Sequence, residues 1–264
     1  MRCAVVGHVE WVESVRVDRV PGPGEIAHAD ADWEEPGGGG AVVAAQLLRL
    51  AGACDLFTVL GEDELGRRAE GRLAELGLAL HVERAGSTRR AFVQVDAHGE
   101  RTITTVGSKL RPRRLPSMGR YDAVFFVAGE PEALRQARGA RFLAATSREV
   151  ETLRAGGVPL DLLVGSGTDP GERYDGGLDA RLVVATEGAR GGVAGGRRYE
   201  AAPPPGPVAD TYGAGDSFAA ALCFALARGD GLDEALALAA RAGAAVVTGK
   251  GPYAAQLALG GFPV

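Results

Sequence analysis

The chain has 264 residues, 46% of them hydrophobic, and a formal net charge of -5 at pH 7. This length and apolar content are enough for one large domain with a substantial core. No run of about 18 uninterrupted apolar residues predicts a membrane span, and the acidic net charge gives no general attraction for nucleic acid. We therefore expect no membrane and no nucleic-acid partner.

Three cysteines, Cys3, Cys54 and Cys223, lie far apart in the chain. Their odd number and wide spacing argue against a disulfide framework and against a cysteine metal site, and favour a reducing compartment. The first residues lack a signal-peptide pattern, because acidic residues recur at Glu10 and Glu13. We expect a cytoplasmic location.

The first predicted elements are buried strands that alternate with helices. Apolar runs predict strands at 3–7 and 55–61, and helical periodicity predicts helices at 40–52 and 63–77, each ended by a glycine. The alternation resumes after residue 120. It predicts strands at 122–129, 141–146, 160–166 and 181–186, and helices at 130–139, 148–157, 215–229 and 232–247. This order is typical of a single α/β domain, 1–264, with a mainly parallel sheet between helices.

Two segments, about 10–36 and 80–107, break this alternation. Residues 11–20 alternate apolar and polar, and the chain stays non-helical through 21–36. The second segment predicts two or three strands with a turn at 96–100. We expect one small, half-exposed sheet outside the parallel core, acting as a lid or an oligomer contact, or simply as a structural flap.

The stretch 210–218, DTYGAGDSF, opens one of the predicted helices. Backbone N–H groups at a helix start are unpaired and carry partial positive charge, so the small residues Gly213, Ala214 and Gly215 would let an anionic phosphate approach closely. Asp216 follows, and a carboxylate beside a phosphate has a use if it accepts a proton from an attacking hydroxyl. The alternative is that Asp216 or Ser217 only caps the helix.

The stretch 210–222 closely resembles the signature of ribokinase-like sugar kinases, the phosphofructokinase B family. Other parts of that family's pattern are similar at 21–25, 37–52, 60–78, 88–103, 185–192 and 244–252. The resemblance therefore covers nearly the whole chain. It implies a three-layer α/β sandwich with a mainly parallel central sheet and a small β-sheet lid.

The resemblance also implies roles for individual residues. Asp216 would be the general base, and 213–215 would form the anion hole for the transferring phosphoryl group. Gly38 and Gly39 would face the sugar, and Glu130 matches an acidic position that contacts sugar, although it could instead cap the helix at 131.

The nucleotide and metal positions follow in the same way. Thr186 and Gly188 would lie on ATP, although Thr186 could simply end a strand. Asp210 and the carbonyl of Tyr212, together with Gly251, would hold a potassium-like ion. The implied cofactors are ATP and Mg²⁺, with K⁺ as an optional activator.

Two departures from the family pattern affect the substrate prediction. The Asn-x-x-Glu motif that organises magnesium is replaced by Ser166 and Asp169. The sugar-binding Asp position falls on Val12, with Glu10 or Glu13 nearby, and the Asn of the glycine-rich helix becomes Val42. A buried hydroxyl without a partner costs about 1–3 kcal/mol, which puts ribose itself in question.

The sequence thus predicts an ATP-dependent kinase that phosphorylates a primary hydroxyl of a small carbohydrate or nucleoside-like substrate. The rival hypothesis is a catalytically weak sugar- or nucleotide-binding regulator on the same fold. We also expect a homodimer formed through the lid, because apolar residues lie on an insertion too small to bury both of its faces. These residues include Val15, Val17, Phe92, Val93 and Val95.

Overall fold

The structure is a computed structural model, and it describes residues 1–259. Within these residues the strands are β1 (Cys3–Val6), β2 (Glu10–Arg16), β3 (Ala31–Gly37), β4 (Cys54–Leu60), β5 (Ala79–Arg84), β6 (Arg90–Val95), β7 (Arg101–Val106), β8 (Ala123–Phe126), β9 (Phe142–Thr146), β10 (Leu162–Ser166), β11 (Val183–Thr186), β12 (Gly192–Ala194) and β13 (Arg197–Tyr199). The α-helices are α1 (Gly39–Ala51), α2 (Glu64–Glu75), α3 (Pro131–Ala137), α4 (Val150–Gly156), α5 (Ala214–Arg228) and α6 (Leu232–Val246).

The described residues form a nine-stranded central sheet with the order β13-β12-β11-β10-β9-β8-β1-β4-β5. The strands from β11 to β5 pair in parallel, and β12 and β13 add an antiparallel edge. Strands buried on both faces read as continuous apolar runs, as the sequence indicated. The predicted α/β fold with a mainly parallel sheet is confirmed.

Helices cover both faces of this sheet. Cys3 and Val5 of β1 face a core shared with α1, α5 and α6, whereas Ala4 and Val6 face a core shared with α3 and α4. Successive side chains of a strand point to opposite faces, so one short strand supplies both cores. The result is the expected three-layer sandwich.

The hairpin of β12 and β13 was missed in the sequence. Its two strands have three residues each and are joined by Gly195 and Gly196, both at positive φ. A Gly-Gly pair between short strands is a hairpin signal, but strands this short carry almost no periodicity.

A separate four-stranded sheet, which we call the lid sheet, has the order β3-β2-β6-β7. Its first predicted segment, about 10–36, matches β2 and β3. The second segment, about 80–107, needs a correction: β5 pairs in parallel with β4 at the edge of the central sheet, and only β6 and β7 belong to the lid sheet. The alternating pattern of β5 reflects a half-exposed edge strand, which a lid strand resembles in sequence.

The inner face of the lid sheet packs against its own chain. Val12, Ala91 and Val93 join a buried cluster with Val42 of α1 and with Tyr212. Of the residues that suggested a lid-mediated dimer, Val93 and Val95 belong to this cluster and Val17 is also buried, while Val15 is half-buried and Phe92 is exposed. The homodimer stays a prediction that now depends on a smaller exposed surface, which also includes Ile103 and Val106.

The three cysteines are free and buried in the described chain. Burial raises the pKa of Cys54 and Cys223 well above the ordinary thiol value, so these thiols are unreactive core residues. None of the helices described between residues 1 and 259 is long and apolar enough to span a bilayer.

Candidate active site

The predicted site residues gather at one edge of the central sheet, where its parallel strands end. Glu10 follows β1, Glu130 follows β8, Ser166 ends β10 and Thr186 ends β11. The lid sheet and the start of α5 border the same edge. Ligands of open α/β sheets bind outside the carboxyl ends of the strands, so this edge is the candidate site.

The glycine-rich turn before α1 fits tightly against the end of β1. Gly38 has φ of 82°, and a Cβ placed there would lie 3.0 Å from Cδ2 of His8. A Cβ on Gly40 would lie 2.5 Å from the carbonyl oxygen of His8. Only glycine allows this approach of helix to strand.

The same turn touches the start of α5. The N–H of Gly38 donates a 2.9 Å hydrogen bond to the hydroxyl of Tyr212. A Cβ on Gly39 would lie 3.0 Å from Oδ1 of Asp216. The structure therefore brings the predicted sugar-facing turn directly beside the predicted general base.

Helix α5 begins without a capping side chain among the described residues. Its N-cap is Gly213, at φ of 86°, and it makes no side-chain capping hydrogen bond. Asp216 lies in the first turn, one residue beyond Gly215. Within residues 1–259 no atom contacts a Cβ built on Gly215. This geometry disfavours the cap interpretation of Asp216 and leaves the helix start open to an anion.

Burial raises the pKa of Asp216 to about 6, and the nearby charge of Glu172 contributes. A carboxylate with this pKa is ionised at neutral pH and is a better proton acceptor than an ordinary aspartate. Such a shift in a cleft is the kind that marks functional groups.

The predicted nucleotide residues lie together at the ends of β10 and β11. Ser166 and Thr186 are paired in register, and the N–H of Gly167 donates to the Thr186 carbonyl at 2.8 Å. Oγ of Ser166 accepts the N–H of Asp169 at 3.0 Å and so shapes the turn that follows. Gly188 opens an exposed short 3-10 turn, Gly188–Arg190.

Arg148, which the sequence analysis overlooked, forms an ion pair with the carboxylate of Asp169. Its Nη2 lies 2.5 Å from Oδ2 of Asp169 and 2.6 Å from Oε1 of Glu172. The other Asp169 oxygen accepts the N–H of Gly171 at 2.8 Å. The position of Arg148, two residues after the central parallel strand β9, was the signal that could have identified it.

Asp210 joins two loops behind the helix start. Its Oδ1 accepts the N–H of Tyr212 at 2.8 Å, and its Oδ2 accepts the N–H of Gly251 at 3.1 Å. Gly251 has φ of 69°, and a Cβ there would meet Oε1 of Glu35. Burial raises the pKa of Glu35 to about 7, and Asp210 adds to that effect. Within the described chain, no cluster of three or more His, Cys, Asp or Glu residues could hold a metal ion by itself.

The side of the site where the sequence analysis places the sugar, which we call the acceptor side, consists of His8, Glu10, Gly38, Gly39 and Asp216. Glu10 is buried, and its Oε2 lies 3.4 Å from Nε of Arg89. Burial raises the pKa of Glu10, while the charges of Arg89 and Lys109 oppose that shift. The sequence analysis named Glu10 and Glu13 as carboxylates near the position where the family has a sugar-binding Asp. Of these two, the structure brings Glu10 into the site.

Val12 and Glu130 lie differently. Val12 packs in the apolar cluster with Val42 and Tyr212, and its side chain is buried. Glu130 is exposed at the N-cap of α3 without a side-chain capping bond in the described residues, and its N–H donates to Pro112 at 2.8 Å. The stretch before Pro112 carries Lys109 and Arg111, which the sequence analysis did not single out.

A family model of the pfkB carbohydrate kinases matches residues 2–119 and 175–258. These two ranges include the glycine-rich turn, the lid sheet and the whole of α5. The chain belongs to the pfkB family of carbohydrate kinases. The resemblance inferred from the motifs is thereby confirmed, as is the assignment to a kinase family.

Two curated proteins share part of the sequence. An acarbose 7(IV)-phosphotransferase of Actinoplanes is 47% identical over 75 residues, which are 26% of this chain and 25% of that protein. An ATP-dependent ribose-1-phosphate kinase of Halopiger xanaduensis is 33% identical over 103 residues, 38% of this chain and 35% of that protein. The chain thus matches about a quarter to a third of the length of these relatives.

Solved structures share the fold over nearly the full length. A structure described as a putative ribokinase from Agrobacterium tumefaciens has a TM-score of 0.80 at 21% identity and covers 97% of this chain and 94% of its own. Arabidopsis thaliana ribokinase, in complex with ribose and ATP, has a TM-score of 0.72 at 23% identity and covers 96% and 95%. The ribokinase-like fold with its lid sheet is confirmed.

Proposed function

We propose that this protein is an ATP-dependent kinase that phosphorylates a primary hydroxyl of a small sugar or nucleoside-like substrate. The observation that carries the proposal is the contact between the glycine-rich turn and the start of α5. A Cβ on Gly39 would lie 3.0 Å from Oδ1 of Asp216. An acceptor bound at the turn, where Gly39 has no side chain, therefore has its hydroxyl next to a base.

Asp216 accepts the proton of the acceptor hydroxyl. The hydroxyl oxygen forms a bond to the γ-phosphorus of ATP, the bond between that phosphorus and the bridging oxygen of ADP breaks, and ADP leaves. The N–H groups of Gly213, Ala214 and Gly215 receive the charge that develops on the phosphoryl oxygens. Gly213 and Tyr212 keep this turn in place against the acceptor side.

ATP would lie over Thr186 and Gly188, beyond the ends of β10 and β11. Mg²⁺ neutralises phosphate charge in such reactions. Ser166 and Asp169 face this region, but Asp169 already pairs with Arg148. Arg148 therefore supplies positive charge next to the nucleotide side, and Asp169 is a weaker partner for magnesium than a free carboxylate.

The rival hypothesis is a regulator that binds sugar or nucleotide with little catalysis, and it is favoured by the changes at Ser166, Asp169 and Val12. The intact turn at 213–215 and the raised pKa of Asp216 support the kinase instead. The deciding measurement is ADP release with ATP and a panel of sugars, nucleosides and sugar phosphates. Saturable binding without ADP release from any of them would favour the regulator.

Activity should depend on pH through Asp216. Burial raises the pKa of this base to about 6, so the ionised form that accepts the proton is lost as the pH falls through 6. We expect kcat/KM to be nearly constant from pH 7 to 8 and to fall about tenfold for each pH unit well below 6. A profile with its acidic limb near pH 4 would mean that the base is not buried in the active form.

Potassium should activate the enzyme. The loops at Tyr212 and Gly251 are tied together by Asp210, and the buried carboxylate of Glu35 lies beside them, so a monovalent cation there would be favourable. Such an ion would stabilise the helix start from behind. The measurement compares kcat in potassium chloride and in tetramethylammonium chloride at equal ionic strength, and equal values would refute this expectation.

A further inference from the structure

Three cationic side chains surround the acceptor side of the site. Arg89 precedes β6, and Lys109 and Arg111 follow β7. All three lie close enough to His8, which follows β1, for their charges to act on its imidazole, and Arg89 also pairs with Glu10. Their side chains are only 19%, 17% and 30% exposed, respectively. Burial of Lys and Arg is unfavourable unless each charge has a partner.

Within the described residues, these three cations share two carboxylates. Glu149, whose side chain is 2% exposed, pairs with Lys109 at 2.9 Å and also with Arg111. Glu10 is the partner of Arg89 at 3.4 Å, but Nε of Arg89 is a buried donor without a hydrogen bond in this part of the chain. The three cations therefore outnumber the carboxylates that pair with them. Asp216 is a further carboxylate on this side of the site, but among the described residues it forms no ion pair with any of the three.

His8 does not change this charge count. Burial, together with the charges of Lys109, Arg89, Arg111 and Arg148, lowers its pKa well below the usual value, so the imidazole is neutral. Its Nδ1 is buried and has no hydrogen-bond partner among residues 1–259. On the nucleotide side the ion pairs of the described residues balance, since Arg148 pairs with Asp169 and Glu172 while Arg190 and Arg198 share Glu187.

Two positions of the same region lack the polar groups that a neutral sugar would need. A sugar hydroxyl that is buried without a partner is unfavourable, so a neutral sugar needs several fixed acceptors. Val12 and Val42 pack against each other in the apolar cluster below the lid sheet and offer none. The acceptor side thus combines three clustered cations with an absence of hydroxyl partners at Val12 and Val42.

We propose that the acceptor is a sugar that already carries an anionic group, a phosphate or a carboxylate, held by Arg89, Lys109 and Arg111. This inference rests on the proposed kinase function. Guanidinium and ammonium groups form short, charge-assisted hydrogen bonds to such oxygens. The anionic group accepts from the unused Nε donor of Arg89 and lies beside the other two cations, and the free primary hydroxyl at the other end of the sugar reaches Asp216.

Binding without nucleotide tests the proposal directly. Calorimetry would compare two matched pairs that each keep a free primary hydroxyl, ribose 1-phosphate with ribose and gluconate with sorbitol. We expect at least one anionic member to bind about 10-fold or more tightly than its neutral partner, and the pair that responds tells phosphate from carboxylate. Equal or tighter binding of both neutral members would overturn the proposal.

Variants separate recognition from structure. Lys109→Gln should weaken binding of the anionic probe by about 10- to 100-fold, because a hydrogen bond to a charged group is lost, and should leave neutral sugars and ATP unaffected. Lys109→Arg should restore part of the loss. Arg114→Gln is the matched control, since Arg114 is an exposed cation of the same segment. A lower melting temperature with unchanged preference, or weaker ATP binding instead, would contradict the proposal.

The anionic acceptor and the kinase function can fail separately in these measurements. ADP release with neutral sugars at equal or higher kcat/KM would refute the anionic acceptor and leave the kinase intact. Tight binding of an anionic probe that depends on Lys109, without ADP release, would support the anionic ligand while the kinase proposal fails.

Discussion

Replacing Asp216 by Asn should lower kcat by about 10²- to 10⁴-fold, because general-base catalysis of this kind contributes that much and an amide cannot take the proton. The substitution keeps the size of the side chain beside Gly39. ATP affinity should change little, since the nucleotide residues lie at the ends of β10 and β11. Steady-state ADP release and calorimetry with ATP measure the two quantities.

The stability of the same variant distinguishes a base from a structural residue. The folded-state pKa of Asp216 is raised to about 6 by burial, so its ionised form disfavours the folded state, and the stability gained from protonation is lost as the pH rises through 6. Asn removes that charge, and we expect an equal or higher melting temperature at pH 7.5.

Asp233→Asn serves as the matched control. Asp233 is also an acidic residue in the first turn of a helix, and α6 likewise begins at a glycine N-cap without a side-chain cap in the described residues. Its replacement removes a helix-dipole interaction, worth about 0.3–1 kcal/mol, together with an exposed ion pair to Arg197 that contributes little to stability. Wild-type turnover in the Asp216→Asn protein on a confirmed substrate would mean that Asp216 is not the base.

Two glycine substitutions at the helix start should have different effects. Gly213→Ala should lower both stability and activity, because φ of 86° costs an L-residue about 1–2 kcal/mol and the new Cβ would lie 3.0 Å from Pro252 and from Val42. Gly215→Ala has free space for its Cβ and gains helix propensity, so its melting temperature should be equal or higher.

The activity of Gly215→Ala should nevertheless fall by about 10²-fold, the loss typical when one donor to a developing oxyanion is displaced. The added methyl group lies at the open helix start, where the phosphoryl group is expected to approach. Thermal unfolding and kcat of both variants separate the two effects. Full turnover by the Gly215→Ala protein would show that the phosphoryl group does not approach this residue.

The sequence alone determined the fold class, the order of the central strands and helices along the chain, and the identity of the helix start. These features depend on local signals: buried apolar runs, helical periodicity and small residues at 213–215, which act over a few neighbouring positions. The same signals failed where they were weak, at the three-residue strands β12 and β13, and where they were ambiguous, at the edge strand β5.

Only the tertiary structure decided what surrounds Asp216. The proximity of Gly39 to its carboxylate, the pairing of Arg148 with Asp169, and the pairing of Lys109 with Glu149 all join residues far apart in the chain. Their charges shift pKa values through burial and distance, which no local pattern encodes. The tertiary structure likewise separated Glu10, which lies in the site, from Val12, which packs in the apolar cluster with Val42. Residues two apart on a strand point to the same face of the sheet, but the elements that pack against that face differ from one position to the next.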